Sequence, residues 1–427
     1  NKKKPFLLSA RIRMGMQKNI HGEIMEDLKS LEKSARYSEL IVKIRELIRE
    51  NPRNLENEVI KGFMGRRWRN IFISEASADS NAVAAAEENK LFGKDVRSDR
   101  EKIASRFLKG EGPEEWQTEM PAPENRPVKN TTLIFCPGLL TGLLPVLAFR
   151  QEFPLISKKF SLKIVQSDSH PMRGCEANMQ DLLKAVEKGE GLDESAEPIP
   201  ENSALPPKDI FVIAYSKGMS DLLFLLSRRP DLKDRIRCIF SWAGAPGGSY
   251  LANSMYEAAK NIHLDSKINP EQLEGILKLV SPLVNLPSQI RRLPEYDIKG
   301  ALLDLCTYHR KEFLEENLKK IDELNIPIFN ITGSTSVTEV PYFQIQGYMD
   351  LLKYDANNDM QVTQMHSKVQ SPMATDLAML HGHHWDLSYG PFPRAMRFGS
   401  PNLEHKFPRE AALSSIIKFA LEFGLID

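Results

Sequence analysis

The chain has 427 residues, with 57 Lys+Arg balanced against 57 Asp+Glu, 41% hydrophobic and 27% charged residues. That composition excludes wholesale disorder, and the balanced charge leaves no global footprint for nucleic acid. The length exceeds one minimal domain and suits a catalytic domain of roughly 250–300 residues with an extension.

Residues 1–110 read as helical, and residues 1–120 as an N-terminal helical extension. Leu40, Ile41, Ile44, Leu47 and Ile48 recur at helical spacing with charges between them. A second apolar patch runs from Val59 to Ile73 and carries Arg66, Arg67, Trp68 and Arg69, and an Ala-rich segment over Asn81–Glu88 suits a helix. The first seventy residues hold about eight more Lys/Arg than Asp/Glu. This bias is read as a solvated helical face, with contact to an anionic surface as the alternative. Pro113, Pro121, Pro123 and Pro127 mark residues 111–130 as a linker or loop.

From residue 128 to 427 the pattern is that of one catalytic domain. Short apolar runs at Leu133–Cys136, Leu162–Gln166, Ile210–Ala214, Cys238–Trp242 and Ile326–Ile331 read as buried strands. Helices are predicted over Met179–Val186 and Met219–Ser227, and residues 188–207 form a Pro/Glu/Ser-rich loop. Alternation of this kind implies an α/β fold: a mostly parallel sheet with helices on both faces. The uncharged stretch Thr131–Phe149 is not a membrane span, because Pro137, Gly138, Gly142 and Pro145 would break a spanning helix. Residues 250–325 interrupt the strand rhythm with about three helical segments. One carries Leu273, Ile276, Leu277, Leu279, Val280, Leu283 and Val284. This insertion reads equally as a lid or as a structural cap over the sheet. None of Cys136, Cys175, Cys238 and Cys306 forms a C-x-x-C pair, so no zinc or dithiol-redox motif is present.

The residues that carry chemistry begin at the run Asp209–Leu226. An apolar strand enters a sharp turn at Ser216 and leaves as an apolar helix, in the pattern Ala214-x-Ser216-x-Gly218. A serine at such a turn adopts a strained backbone and projects its hydroxyl above the sheet, and small neighbours allow strand and helix to approach closely. Ser216 is therefore the candidate nucleophile. Acyl transfer also needs two backbone N–H donors aimed at the developing oxyanion. Position assigns these to Lys217, directly after the serine, and to Leu139, after the Pro137-Gly138 turn. A base is offered by His381, His383 and His384, which follow the apolar run Leu377–Leu380. Chain order Ser–acid–His places the acid beyond Ile326–Ile331, where Asp359 and Asp355 are the candidates. Three close histidines without an acidic or Cys ligand pattern are poor evidence for a metal.

These motifs resemble the α/β-hydrolase superfamily, and within it the bacterial triacylglycerol lipases and esterases. Pro137-Gly138-Leu139 matches the oxyanion loop, and Ala214-Tyr-Ser216-Lys-Gly218 matches the nucleophile elbow. Ser241-Trp-Ala-Gly-Ala-Pro-Gly-Gly248 is similar to the segment after the elbow. Asn358-Asp359-x-x-Val362 resembles an N-D-G-x-V acid loop, and His384-Trp-Asp386 an H-x-D segment around the base. The last two matches favour Asp359 and His384. The resemblance covers roughly residues 131–425. The chain departs from it in three places: Ala214 for Gly in the elbow, Cys136-Pro-Gly where His-Gly is common, and Met360 for Gly in the acid loop.

What the resemblance implies is a serine hydrolase that cleaves carboxylic esters of lipid-like substrates through an acyl-enzyme, without metal or organic cofactor. A lipid or ester substrate is expected, with contact to a lipid surface as a further expectation and no nucleic-acid partner. An acyltransferase or thioesterase on the same fold, and a non-catalytic partner-binding protein of this fold, are the alternatives. A lipase-like core in a chain that starts at Asn1 suits a periplasmic or secreted protein whose leader was removed.

Overall fold

A computed structural model describes residues 22–88, 93–110, 114–262, 269–287 and 290–427. The helical expectation for residues 1–21 lies outside them. Seven strands among the described residues form one sheet: β1 (Leu108–Lys109), β2 (Thr131–Cys136), β3 (Lys163–Gln166), β4 (Asp209–Tyr215), β5 (Ile236–Trp242), β6 (Ile328–Ser334) and β7 (Ala374–His381). Their order is β1-β7-β6-β5-β4-β2-β3. All neighbours are parallel except the edge pair β1–β7. Every residue of β2, β4 and β6 is buried, as expected where helices cover both faces.

Period-two alternation divides the core. Leu133 and Phe135 of β2, Phe211, Ile213 and Tyr215 of β4, and Phe240 and Trp242 of β5 pack on one face. Ile134, Cys136, Ile210, Val212, Ala214 and Ile239 pack on the other. The second face is covered by the helices Cys175–Lys188, Lys217–Arg228 and Thr307–Asp322. The first is covered by the helices Glu58–Ser77, Glu152–Phe160 and Arg409–Glu422.

The N-terminal helices therefore share the main core. Helix Glu58–Ser77 starts at Asn57, whose side chain accepts from the Val59 and Ile60 amides. It crosses β7 so closely that a Cβ on Gly65 would lie 2.9 Å from the Asp376 carbonyl. Trp68 stacks on Phe72, and Phe72 on Phe407. The arginines of this helix are paired with acidic side chains. Arg67 is fully buried and pairs with Glu422 through two bonds of 2.8 and 2.5 Å. Arg69 binds Glu115 and the Leu377 carbonyl, and Arg66 binds Glu32.

Element boundaries follow local chemistry. β6 starts two residues later than the apolar run that predicts it, since Pro327 has no N–H for the ladder. The insertion between β5 and β6 holds the helices Tyr250–Ala259, Pro270–Val280, Ile298–Leu303 and Thr307–Asp322. The apolar run 273–284 is helical only to Val280, because Ser281 precedes Pro282 and takes an extended conformation. Leu273 and Leu277 face inward, and Leu279 is 68% exposed. Among the described residues, no helix is long and apolar enough to cross a membrane.

Candidate active site

β4 ends at Tyr215, and helix Lys217–Arg228 begins two residues later, leaving Ser216 alone to turn the chain. Ser216 adopts φ 53°, ψ −125°, a region costly for a residue with a Cβ. The turn is held by its own hydrogen bonds, since the Ser216 carbonyl accepts from the Met219 and Ala245 amides. Gly218 is required by crowding: a Cβ there would lie 2.2 Å from the Cys136 carbonyl and 2.7 Å from that of Pro137. On the other side, a Cβ on Gly138 would lie 3.0 Å from the Ser216 Cβ, so the loop after β2 abuts the serine. Ala214 lies inside the fully buried β4, paired in register with Cys136 and Ser241.

Ser216 Oγ is 2.9 Å from His384 Nε2, and His384 Nδ1 is 2.6 Å from Asp359 Oδ2. An ionised carboxylate only accepts, so Nδ1 carries the proton and Nε2 is left to accept from the serine hydroxyl. The other Asp359 oxygen, Oδ1, accepts from the Gln361 and Val362 amides at 3.0 and 2.8 Å. The His384 amide donates to the Asp359 carbonyl at 2.9 Å, which ties the two loops together through the backbone as well. Both side chains are buried. Met360 explains the missing glycine of the acid loop. It takes the positive φ (74°) that a glycine would suit, and its side chain is fully buried.

The structure separates the remaining candidates from Ser216. His381 Nε2 donates to Glu339 Oε2 at 2.5 Å. His383 takes the opposite tautomer to His384: its Nδ1 accepts from the Asp386 amide, and its Nε2 donates to the Asn402 carbonyl. Burial holds the His383 imidazole below its ordinary pKa, against the pull of Asp386. Asp355 spends its two oxygens on the Asn357 and Gln364 amides of its own loop. Asp386 accepts from the Phe407 amide. The three histidines thus serve separate partners.

The backbone amides of Leu139 and Lys217 donate to no protein acceptor among the described residues. Leu139 lines the same cavity as Ser216, and Lys217 opens the helix whose N-terminus carries partial positive charge. The Lys217 side chain points away into the core, where its Nζ is 2.5 Å from Asp221 Oδ1. Burial alone would lower its pKa, but Asp221 outweighs this and raises it.

Tyr215 is a contributor that local sequence barely signals, beyond its place beside the serine. Its ring stacks on the His384 imidazole at 5.0 Å, and its hydroxyl donates to the His384 carbonyl at 3.0 Å. Above the serine lies a cavity of about 80 Å³. Leu139, Leu140, Leu144, Met255, Val280 and Leu302 give it an apolar wall, three of them drawn from the helical insertion.

No family model matches the chain, and no curated protein matches it in sequence. Among solved structures, a metagenomic carboxyl esterase is similar at TM-score 0.57 and 22% identity, over 84% of this chain and 92% of that one. The mature form of a Bacillus licheniformis lipase is more distant, at TM-score 0.38 and 16% identity over 63% of this chain and 88% of that one. A Bacillus subtilis carboxylesterase gives TM-score 0.29 and 13% identity over 62% and 80%. A parallel sheet covered on both faces, a serine in a strained turn between β4 and its helix, and the likeness to the first of these structures give the chain the α/β-hydrolase fold.

Proposed function

We propose that this protein is a serine hydrolase of carboxylic esters, with Ser216 as nucleophile, His384 as base and Asp359 as the orienting acid. The observation that carries this reading is the continuous hydrogen-bonded series Asp359–His384–Ser216, ending on a serine in a strained turn. In the proposed reaction His384 Nε2 takes the Ser216 proton as Oγ attacks the ester carbonyl carbon. The Leu139 and Lys217 amides donate to the resulting oxyanion. Collapse breaks the ester C–O bond, and His384 returns the proton to the departing alcohol. Water, deprotonated by the same imidazole, then attacks the acyl-enzyme. The carboxylic acid leaves and Ser216 regains its proton. Asp359 stabilises the transient imidazolium, and Tyr215 braces its ring.

In the same proposal residues 128–427 carry the chemistry, residues 1–120 buttress the sheet, and the insertion at 250–325 acts as a lid through its part before helix Thr307–Asp322, which packs on the sheet. A cavity of about 80 Å³ is well below the roughly 300 Å³ of a typical ligand pocket. Short acyl groups suit it as it stands, and lipid-length chains need the insertion to move. The exposed Leu279 would then face a lipid surface. The test is pre-steady-state hydrolysis of p-nitrophenyl esters from two to sixteen carbons. The reading predicts a burst of one p-nitrophenolate per active site, lost in Ser216→Ala and His384→Ala. Undiminished turnover by Ser216→Ala would overturn it.

A further inference from the structure

The cavity over Ser216 is two-sided. On the side of the oxyanion loop its walls are aliphatic: Leu139, Leu140 and Leu144, joined by Val280 from the insertion. The Asn285 amide donates to the Leu143 carbonyl, which pins these two segments to each other. The side of the acid loop is different. Gln361 stands two residues after Asp359, and its amide donates to that carboxylate. Its side chain is hydrogen-bonded to Gln344 at 3.1 Å. The residue before Gln344, Phe343, packs on Trp385, the neighbour of His384. Both glutamines line the cavity.

One bond between the two amides uses one N–H of one and the oxygen of the other. Among the described residues, the remaining oxygen and the remaining NH₂ have no partner. This holds whichever way the two amides are turned, so the pair presents one acceptor beside one donor. That is the complement of a hydroxyl group, which donates once and accepts. Among the described residues no Lys, Arg, Asp or Glu lines the cavity, so no ion pair there offsets the desolvation of a charged head group.

Resting on the ester-hydrolase reading, we infer that the substrate joins an apolar acyl group to a neutral alcohol bearing a free hydroxyl, as in a polyol ester. The acyl arm lies against the leucine wall, and the alcohol's hydroxyl lies on the Gln344–Gln361 pair. Phosphorylated and cationic alcohols are disfavoured. Gln344 and Gln361 are then specificity-determining residues.

The test compares three butyrate esters that differ only in the alcohol: glycerol monobutyrate, butyrylcholine and p-nitrophenyl butyrate. Rates are expressed per active site, titrated from the p-nitrophenolate burst, for the full chain and for Gln361→Leu and Gln344→Met. The inference predicts that the wild type prefers the glycerol ester to the choline ester. In each variant the kcat/KM ratio of glycerol to p-nitrophenyl ester falls about five- to tenfold, mainly through KM, as expected for loss of a neutral hydrogen bond. The second variant lies on another element, so misfolding of one leaves the other to report. A ratio within twofold of wild type in both variants overturns the inference, as does preference for the choline ester or no turnover of the glycerol ester. Failure of the wild type on all three esters overturns the ester-hydrolase reading itself, and this inference with it.

Discussion

Replacing Asp359 by Asn exchanges one oxygen for an NH₂ and leaves the shape of the side chain intact. The structure dictates how the amide sits. Asp359 Oδ1 accepts from two backbone amides, so the remaining oxygen of Asn must stay there and the NH₂ must face His384 Nδ1. That NH₂ donates, which forces Nδ1 to accept and moves the imidazole proton to Nε2, against Ser216 Oγ. The base then holds a proton where it needs a lone pair. In serine proteases built on a buried Asp–His–Ser series, the same tautomer error lowers kcat by about 10⁴, or about 5.5 kcal/mol of barrier at 1.36 kcal/mol per tenfold. A similar loss is expected for Asp359→Asn in kcat/KM for a p-nitrophenyl ester, with the circular dichroism spectrum unchanged. Asp355→Asn is the control: its carboxylate caps two loop amides, so activity stays within a few-fold. Retention of more than about a tenth of the activity by Asp359→Asn, or an equal loss in Asp355→Asn, would refute the reasoning.

Further outcomes follow from packing and charge. Gly218→Ala puts a Cβ 2.2 Å from a backbone carbonyl, so strand and helix must part. A lower melting temperature and loss of most esterase activity together are expected, read by calorimetry and ester turnover. Glu422→Gln leaves the fully buried Arg67 without its countercharge. Urea unfolding should show a loss of about 3–5 kcal/mol, and Arg67→Met combined with Glu422→Leu should recover much of it. Burial holds His170 down to about 4, and lowers His383 and His405 as well. Folded pKa values below the unfolded value of about 6.5 make protonation favour unfolding. Stability should therefore be full above about pH 6.5 and fall as pH drops toward 4. His170→Gln should flatten that fall.

The strand–turn–helix around Ser216 was the most legible part of the sequence because its requirements are local. A buried strand, a sharp turn and an apolar helix sit within eighteen residues, and the structure finds Ser216 at positive φ as that pattern requires. The central parallel strands were legible for a similar reason, since burial on both faces leaves uninterrupted apolar runs. Helix Arg409–Glu422 was not. It is buried all round, with Arg409, Lys418 and Glu422 satisfied by ion pairs, and so has no amphipathic period. The ion pairs of Arg66, Arg67 and Arg69 were not legible either, because their partners Glu32, Glu422 and Glu115 are distant in sequence. The choice of His384 over His381 and His383 rested on the likeness of His384-Trp-Asp386 to an H-x-D segment, and not on local physical chemistry. The physical distinction depends on Glu339, Asn402 and Asp359, which only the folded loops bring near. β1 is two residues long and leaves almost no sequence trace.

The most direct test of Ser216 as an activated nucleophile is covalent labelling by a fluorophosphonate, followed by mass spectrometry of the digested protein. The account predicts one adduct per chain, on the peptide carrying Ser216, formed at least a hundredfold more slowly in His384→Ala and absent in Ser216→Ala. An unlabelled wild type in detergent, or an adduct on another serine that survives Ser216→Ala, would contradict it.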